Sequence, residues 1–335
     1  MMSDDFLNLA SACRIAVVRR NQLGDLLMTV PLLHCLKERA KNASLTLFVD
    51  EANALLLPYI GLADSVVVFS RKGNRYLNVL IAGYKSRKEH FDLAISAKAS
   101  PMKLMNLFLF ATRAKKRIAY AGGFWSDCFL NAPVLYDEDV TRNQHQALKM
   151  VQLIDSSIKE VPEKWYPRIS LPADLIERCK INSLNTLPLP GPLLLVSVSN
   201  HRAASTPSNN YYAGVLNALY KEAPFRTVIS CQSKDLERAK ALSSKLSSPS
   251  IPIATPSLES FLVLLHHVDV VFSGDGGTMH MAAALNKPQL VLFGITRTEE
   301  WRPLSSCAVC LQHPEDVNFI PQQEALAALR SVNVF

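Results

Sequence analysis

The chain has 335 residues, of which 49% are hydrophobic and 19% charged, and this length and composition predict a well-packed α/β protein with two domains. Its 36 Lys and Arg residues exceed its 29 Asp and Glu residues, and the resulting formal charge of +7 favours anionic partners. Because the sequence has no RNP-like motif, no zinc-finger spacing and no interleaved aromatic and basic patch, we expect an anionic membrane surface or acceptor rather than nucleic acid.

Seven scattered cysteines, an odd number, argue against a disulfide framework and predict a reducing compartment. Cys307 and Cys310 have the spacing of a zinc-binding pair and His313 follows them, but no second pair completes a site, so we expect no metal. The acidic N-terminus lacks the apolar core of a signal peptide, and no run reaches the roughly 18–20 apolar residues of a membrane span. The sequence therefore predicts a soluble, cytoplasmic protein.

The first predicted strand covers residues 14–19, and the loop after it leads into a helix. Pro31 interrupts the apolar pattern of that helix, so we expect it to kink or restart the helix. Asp25 lies in the first helical turn, just past the carboxyl end of the strand, where ligands bind in open α/β sheets. There it either complements the helix dipole or removes a proton from a hydroxyl group. The residues alone favour the structural role.

Four more strands are predicted in the first half, at 45–49, 66–69, 93–96 and 117–120. Helical stretches lie between most of them, which predicts a parallel sheet with crossover helices. Ser100 and Pro101 are expected to cap a strongly apolar helix, which is bordered by basic residues. Such a segment could face a membrane, but we favour a buried crossover helix followed by a solvated run of charges.

Six prolines between residues 162 and 192 mark a shift in composition. We therefore predict a first Rossmann-like domain at 1–165, a linker at 166–190 that includes one helix, a second Rossmann-like domain at 191–320, and a C-terminal helix at 321–335 that could pack back on the first domain. In the second domain, strands are predicted at 193–198, 226–230, 268–272 and 289–293, and helices at 211–221, 235–246 and 257–266.

The turn after the strand at 268–272 contains an acid, two glycines and a threonine, namely Asp275, Gly276, Gly277 and Thr278, before an apolar helix begins. Backbone N–H groups and the dipole at a helix N-terminus attract phosphate, and glycine lets a ligand approach the backbone closely. The alternative is an ordinary strand–helix turn. The first turn of the chain holds a single glycine and no Walker A sequence occurs, so neither a dehydrogenase nor a P-loop hydrolase is expected.

With both turns in view, the sequence resembles glycosyltransferase family 9, the ADP-heptose:lipopolysaccharide heptosyltransferases. The matching blocks are the N-terminal strand with 23–31, then 273–285, 287–288, 292–294 and 301–303. The resemblance implies a GT-B fold, in which two Rossmann-like domains face a central cleft. It also implies an inverting, metal-independent transfer that needs no cofactor beyond its nucleotide-sugar substrate.

The partners that the resemblance implies are a nucleotide sugar, ADP-heptose, in the second domain and a lipid-linked anionic acceptor in the first. The acceptor would be a Kdo-lipid A or inner-core glycan, whose phosphates and acidic sugars suit the basic N-terminal half. We expect a monomer that works on the cytoplasmic face of the inner membrane, in peripheral contact with its anionic lipids.

The resemblance assigns Asp25 as the general base, which reverses the preference from the residues alone, and a single carboxylate is sufficient for this chemistry. Backbone N–H groups and cations would stabilise the leaving diphosphate. The predicted donor site comprises Gly24, Ser199, Asn200, Arg202, Thr206, Asp235, Asp275, Gly276, Gly277, Thr278 and His280. His280 could instead be a packed helical histidine, and Asp235, a candidate ribose contact, could belong to a solvated helix face. The acceptor-binding candidates are Arg19, Lys98 and Lys103.

One segment departs from the family pattern. Members commonly carry a Lys and a Trp shortly before the first helix of the second domain, and the loop 199–212 has neither. Arg202 could supply the charge, but its planar guanidinium does not reproduce the geometry of a lysine. The alternatives are therefore a transferase of the same fold that uses another sugar nucleotide, and a catalytically weak nucleotide-binding or scaffold protein.

Overall fold

The computed structural model describes residues 9–335 with the exception of residues 21, 71, 189, 190, 201 and 333 and of the side chain of Arg75. Two of these positions lie at the end of the predicted linker, and one lies in the loop 199–212. The chain divides into two units, Met1–Pro167 and Arg168–Phe335. The segment that was predicted as a separate linker therefore belongs to the second unit from residue 168 onwards.

The first unit contains a sheet of five parallel strands in the order β3-β2-β1-β4-β5. The strands are β1 Arg14–Arg19, β2 Ser44–Asp50, β3 Ser65–Phe69, β4 Leu93–Ser96 and β5 Lys116–Ile118, and a separate pair consists of β6 Tyr120–Ala121 and β7 Val134–Leu135. The helices are α1 Leu23–Arg39, α2 Glu51–Ala54, α3 Arg75–Lys85, α4 Lys103–Thr112, α5 Glu138–Thr141 and α6 Gln146–Gln152. In the central strand β1, the side chains on both faces of the sheet are buried after the first residue, because helices cover both faces of a parallel sheet.

One local prediction in this unit is wrong, and one alternative of another is excluded. Pro31 lies inside α1, which continues without restarting to Arg39. Ser100 and Pro101 do not cap α4, since the helix begins at Lys103 and Pro101 instead packs closely against Gly122. In both cases tertiary packing overrides the local signal: α1 is buried along most of its length, so its contacts offset the hydrogen bond that proline cannot donate.

The second unit contains a sheet of six parallel strands in the order β10-β9-β8-β11-β12-β13. The strands are β8 Leu193–Ser197, β9 Arg226–Cys231, β10 Ser250–Ala254, β11 Val270–Gly274, β12 Gln289–Phe293 and β13 Ala308–Gln312. The helices are α7 Ala173–Arg178, α8 Asn209–Tyr220, α9 Leu236–Ser243, α10 Leu258–His267, α11 Gly277–Ala284, α12 Thr298–Trp301 and α13 Gln322–Ser331.

The two edge strands of this sheet, β10 and β13, were not predicted. Both are half-buried along most of their length, so they lack the continuous apolar run of an interior strand. Pro252 lies within β10, and a proline is tolerated on an edge strand, where one row of backbone groups has no neighbour.

The C-terminal helix α13 packs within the second unit. Ala325, Ala328 and Leu329 join the core cluster that also contains Tyr212 and Leu216 of α8. These residues form one apolar face at helical spacing, and α8 supplies the partner that buries it. The suggested packing of this helix on the first domain stays a prediction.

In both sheets the strand order reverses beside the first strand of the unit, between β1 and β4 and between β8 and β11. The crevice at the carboxyl ends of such strands is the usual ligand site of an open α/β sheet. Asp25 follows β1, the loop at 199–206 follows β8, and the glycine turn follows β11. The topology thus places each predicted turn at the switch point of its own sheet.

Candidate active site

Asp25 lies in the first turn of α1 with its carboxylate half-buried. The backbone N–H of Gln22 donates to its Oδ2 over 3.3 Å, and Thr29 Oγ1 donates to its main-chain carbonyl over 3.0 Å. An acid at this position suits the positive end of the helix dipole. The same position also leaves the carboxylate at the carboxyl end of the sheet, where a substrate can reach it.

Arg19, the last residue of β1, holds the other oxygen of this carboxylate. Its guanidinium donates to Asp25 Oδ1 and to the carbonyl of Ala97, and it forms an ion pair with Asp25. The side chain of Arg19 is 4% exposed and that of Asp25 is 16% exposed. Burial lowers the pKa of Arg19, and the charge of Asp25 opposes this shift. Arg19 was predicted to bind the acceptor; the structure buries its side chain against Asp25, and its role stays a prediction.

The remaining site predictions in this unit are Lys98, Lys103 and Gly24. Lys98 follows β4 and is half-buried; burial and the charge of Arg19 lower its pKa, whereas Asp25 raises it, so Lys98 belongs to the same electrostatic cluster. Lys103 is exposed at the start of α4, with its Nζ 4.8 Å from the centroid of the Phe124 ring. Gly24 is buried in α1, whereas the other predicted donor residues belong to the second unit.

The glycine turn of the second unit combines a packed glycine with two open ones. A Cβ on Gly274 would collide with the carbonyl of Ser205, so glycine is required there by packing. A Cβ on Gly276 or Gly277 would approach no described atom closer than 3.6 Å. Nothing in the described protein therefore demands glycine at 276 and 277, and the space beside them lies at the N-terminus of α11, where backbone N–H groups are unused by the helix.

The loop after β8 brings predicted donor residues against this turn. The amide of Asn200 donates to the carbonyls of Asp275, over 2.7 Å, and Ser205, over 3.1 Å. Thr206 Oγ1 donates to the carbonyl of Arg202 over 2.6 Å. Asn200 thus fastens the loop to the turn, and Thr206 closes the loop on itself.

Ser199 and Asp235 form a second contact among the predicted residues. Ser199 Oγ donates to Asp235 Oδ2 over 2.6 Å and accepts the backbone N–H of Gln232 over 2.8 Å. Asp235 immediately precedes α9, after β9. The two residues therefore bring together the carboxyl ends of β8 and β9.

Asp275 is the most buried charged group of the turn, and Arg202 covers it. The Arg202 guanidinium lies 3.1 Å from Asp275 Oδ2 and donates to Thr296 Oγ1 over 2.7 Å. The Asp275 side chain is 2% exposed, and that of Arg202 is 45% exposed. Burial raises the pKa of Asp275, while the charge of Arg202 and a hydrogen bond from Thr296 oppose the shift. A cation thus faces solvent beside the turn.

The two remaining donor predictions lie on α11. Thr278 Oγ1 is 3.3 Å from the hydroxyl of Ser197 at the end of β8. His280 is buried and lies two residues further along the helix. Its assignment to the donor site stays a prediction.

Sequence reasoning missed two residues that shape the site. Thr296 follows β12 at the same sheet edge and meets Arg202, and its position just after a strand end was the available signal. Arg238 lies in a helix segment that was considered a solvated face, yet its guanidinium donates to the carbonyls of Val198 and Pro207, each over 2.7 Å. These two bonds hold both ends of the loop 199–206, and no local pattern indicates them.

Within the described part of the chain, no group of three or more His, Cys, Asp or Glu residues is arranged to hold a metal ion. Cys310 lies in β13 and packs near Trp301, and burial raises the pKa of its thiol to about 12. A search of the described helices also finds none with the length and apolarity to cross a membrane.

Comparisons with known proteins agree with these features. The model of glycosyltransferase family 9 (heptosyltransferase) matches residues 85–326. Lipopolysaccharide heptosyltransferase 1 from Campylobacter coli is 24% identical over 304 residues, which cover 84% of each chain. The crystal structure of the family 9 glycosyl transferase from Veillonella parvula DSM 2008 superposes with a TM-score of 0.80 at 16% identity, covering 96% of this chain and 97% of that one. ADP-heptose lps heptosyltransferase II from E. coli gives 0.76 at 17% identity, covering 95% and 98%.

The family match contains the glycine turn and the loop 199–206, and it begins after Asp25. It spans well over half of the chain, and the structural likeness confirms the predicted fold class. The family match and the structural likeness agree with the two parallel sheets and with the glycine turn at a helix N-terminus. The chain therefore belongs to glycosyltransferase family 9 and is a glycosyltransferase with the GT-B fold.

Proposed function

We propose that this enzyme transfers a heptose from ADP-heptose to an inner-core lipopolysaccharide or related surface-glycan acceptor, with inversion at the anomeric carbon and without a metal. Its family membership supports heptosyl transfer. Two similar proteins carry the names lipopolysaccharide heptosyltransferase 1 and ADP-heptose lps heptosyltransferase II, which supports the donor and the pathway.

The observation that carries the proposal is the open glycine turn at the start of α11. Gly276 and Gly277 leave room beside the first N–H groups of the helix, and Arg202 presents a half-exposed guanidinium at the same turn. A nucleotide diphosphate brings two phosphates that need such donors. As the bond to the sugar breaks, negative charge grows on the leaving diphosphate, and fixed N–H dipoles stabilise it without reorganising.

The nucleoside part of the donor has a candidate contact at Ser199 and Asp235. Because Ser199 holds Oδ2 of Asp235, the carboxylate has a fixed orientation. We assign Oδ1 of Asp235 to accept a hydrogen bond from a ribose hydroxyl. Further hydrogen bonds to the phosphates would come from the hydroxyl of Thr278 and from the backbone N–H groups of residues 277 and 278.

Asp25 is assigned the role of general base. Arg19 fixes Oδ1, so Oδ2 is the oxygen that takes the proton of the acceptor hydroxyl. The hydroxyl oxygen forms its bond to the anomeric carbon as the bond from that carbon to the diphosphate oxygen breaks, and ADP leaves with the electron pair. A single displacement of this kind inverts the anomeric configuration and requires only one carboxylate.

The acceptor is proposed to be a lipid-linked glycan that carries phosphates and acidic sugars. Lys98 is placed in the electrostatic cluster of Asp25, and Lys103 stands exposed at the start of α4. These two cations are the proposed contacts for acceptor anions. We also propose that the enzyme acts as a monomer at the cytoplasmic face of the inner membrane, where such an acceptor would be presented.

The first experiment measures thermal stabilisation by a panel of nucleotides and nucleotide sugars, including ADP, ADP-heptose and several UDP-sugars. A ligand at about 100 times its dissociation constant stabilises the folded state by about 2.7 kcal/mol, so specific binding gives a clear shift. We expect ADP-heptose to give the largest shift. A larger shift with a UDP-sugar would favour another donor, and no shift with any ligand would eliminate both transferase interpretations.

A matched pair of glycine variants tests where the donor binds. Gly277→Val places a side chain in the open space, so it should keep the melting temperature of the free protein and abolish the donor-induced shift. Gly274→Ala should lower the melting temperature of the free protein, because its Cβ meets the Ser205 carbonyl. If Gly277→Val leaves donor binding intact, the diphosphate lies elsewhere.

Transfer itself is measured with a truncated lipopolysaccharide acceptor. The proposal expects a product of inverted anomeric configuration by NMR and the same rate in the presence of EDTA. A retained configuration would contradict the single displacement. Donor binding without transfer to any acceptor would favour the scaffold alternative.

A further inference from the structure

The net positive charge of the chain is concentrated in one segment of the first unit. Residues 84–117 contain nine Lys or Arg and two acidic residues, so the formal charge of this segment, +7, equals that of the entire chain. The rest of the protein is therefore balanced. Such an asymmetry indicates one surface for an anionic partner rather than a uniformly basic protein.

The structure gathers large aromatic side chains beside this segment. The rings of Phe110 and Phe129 lie 4.6 Å apart, and the Trp125 ring lies 5.9 Å from that of Phe129. Trp125 is 62% exposed and Phe110 is 48% exposed. Phe110 belongs to α4, and the other two belong to the short 3₁₀ helix Trp125–Phe129 that packs on it. A contiguous group of exposed aromatic rings marks an interaction site.

Direct contacts join two of the cations to aromatic residues or to the helix that carries Phe110. Arg87 stacks 4.3 Å above the exposed ring of Tyr84, and its Nε donates to the carbonyl of Ala111 at the end of α4. Arg117 Nε donates to the carbonyl of Phe129. We call this surface the aromatic-basic patch and define it by Tyr84, Arg87, Phe110, Arg113, Trp125 and Phe129.

Two acidic groups near the patch, Asp127 and Asp92, have partners within the first unit. Asp127 accepts hydrogen bonds from Asn106 and from the backbone N–H groups of Gly122 and Phe124. Asp92 forms an ion pair with Lys115 and accepts the N–H of Cys13. Arg113, by contrast, is exposed directly after α4. The nine Lys and Arg residues of the segment 84–117 outnumber its two acids, Glu89 and Asp92, so the formal charge beside the aromatic rings is positive.

We propose that the aromatic-basic patch docks on an anionic lipid bilayer. Trp and Tyr rings favour the boundary between headgroups and hydrocarbon because they have an apolar body and a polar edge, and each nearby Lys or Arg adds attraction to anionic headgroups. The inference deepens the proposed function by naming the surface that meets the lipid phase, and it rests on that function only for the membrane-borne acceptor. The proposed transfer assigns no role to any residue of the patch.

Sedimentation of the full-length protein with vesicles tests the proposal in the absence of donor. The wild type should bind phosphatidylcholine vesicles that contain phosphatidylglycerol, bind pure phosphatidylcholine vesicles at least tenfold more weakly, and lose affinity as salt rises. Arg113→Glu and the double variant Phe110→Ala/Trp125→Ala should each lower the affinity about tenfold or more. Arg178→Glu and Phe319→Ala, at exposed positions of the second unit, are the matched controls and should bind as the wild type does.

Fluorescence identifies the residue that enters the bilayer. Brominated lipids should quench the wild type, and Trp125→Phe should remove most of this quenching while preserving binding. Equal binding by the patch variants and the controls, or preferential binding of RNA over anionic vesicles, would overturn the proposal. Because donor binding is measured separately by thermal shift in solution, failure of the patch and failure of the proposed transfer give different results.

Discussion

Each unit of this glycosyltransferase has an aspartate–arginine pair at the carboxyl ends of its strands, and the two pairs are built in opposite senses. In the first unit the arginine is buried and the aspartate is the more exposed partner, with Arg19 at 4% and Asp25 at 16%. In the second unit the aspartate is buried and the arginine faces solvent, with Asp275 at 2% and Arg202 at 45%. In each pair, the buried residue holds its partner in place, and the more exposed residue is the one that a ligand can reach.

This inversion gives the two turns different chemistry from the same residue types. A half-buried carboxylate that is oriented by a guanidinium and still reaches solvent can accept a proton, which suits the acceptor hydroxyl. An exposed guanidinium oriented by a carboxylate can donate to phosphate, which suits the nucleotide. Under the proposed function, Arg202 would supply the charge of the lysine that the loop 199–212 lacks, because it pairs with the buried Asp275 while its side chain stays 45% exposed.

The largest effect is expected from the exposed member of the first pair. Asp25→Asn keeps the shape of the side chain and removes its basicity, so the transfer rate should fall about 10³-fold, within the usual range for a general base. Single-turnover transfer measures the rate, and thermal shift with ADP-heptose provides the control, which should be unchanged. Loss of donor binding as well would show that Asp25 is structural and that the pairs do not differ in the way we describe.

A smaller effect should follow from the buried member of the same pair. Arg19→Lys keeps the charge, but one ammonium cannot reach both Asp25 and the Ala97 carbonyl, so the orientation of the carboxylate is lost. We expect kcat to fall about 10²-fold with little change in the KM for donor. Arg14→Lys, at the exposed start of β1, is the matched control and should be fully active. An active Arg19→Lys variant would mean that the orientation of Asp25 does not depend on the two hydrogen bonds of the Arg19 guanidinium.

The exposed member of the second pair should affect binding rather than chemistry. Arg202→Ala removes a charged donor to the diphosphate and leaves Asp275 without its cation, so the Kd for ADP-heptose should rise about tenfold or somewhat more. Adding Asp275→Asn should recover part of the loss, because the uncompensated carboxylate then disappears. Isothermal titration measures both variants, with Lys221→Ala at the far end of α8 as control. An unchanged Kd in Arg202→Ala would restrict Arg202 to neutralising Asp275.

The smallest effect concerns the pH dependence of stability. Because burial raises the pKa of Asp275 above its ordinary 3.8, this group contributes stability below pH 3.8 that is lost as the pH rises through the folded-state pKa. The melting temperature of Asp275→Asn relative to the wild type should therefore increase as the pH rises above about 4.

Asp64 provides a control of the opposite sign. A hydrogen bond from the backbone of Leu45, followed by one from Lys37, lowers its pKa, so its contribution is present above pH 3.8 and lost as the pH falls. Asp64→Asn should thus lose its disadvantage relative to the wild type in acid. If the melting temperatures of the two variants, each relative to the wild type, changed with pH in the same direction, the effect of burial on Asp275 would be contradicted.

Local patterns were sufficient for much of the fold and for the centres of the two turns. The interior strands β4 and β12 match their predictions because a strand covered on both faces is a continuous apolar run. The edge strands β10 and β13 were missed since half-buried strands have no such run. The restart expected at Pro31 does not occur for a related reason: the penalty of a helical proline is local, whereas the burial that offsets it comes from distant residues.

The aromatic-basic patch shows the same limit from the surface. No stretch of the sequence interleaves aromatic and basic residues, and the charge run beside α4 was interpreted as solvated. The patch exists because Tyr84, Phe110 and Trp125, from three separate segments, are exposed beside one set of cations. Exposure is decided by what packs on a helix, which the period of the helix alone does not specify.

The sequence by itself determined the alternation of strands and helices, the two turns with Asp25 and Gly276-Gly277, and the family resemblance, since each depends on residues that are neighbours in the chain. The tertiary structure decided which arginine meets which aspartate and which member of each pair is buried. Arg202 meets Asp275 only because β8 and β11 are adjacent in the sheet, and burial follows from the packing of distant segments. The proposed roles of the two carboxylates therefore differ because of packing between distant segments, which the neighbouring residues in the sequence do not specify.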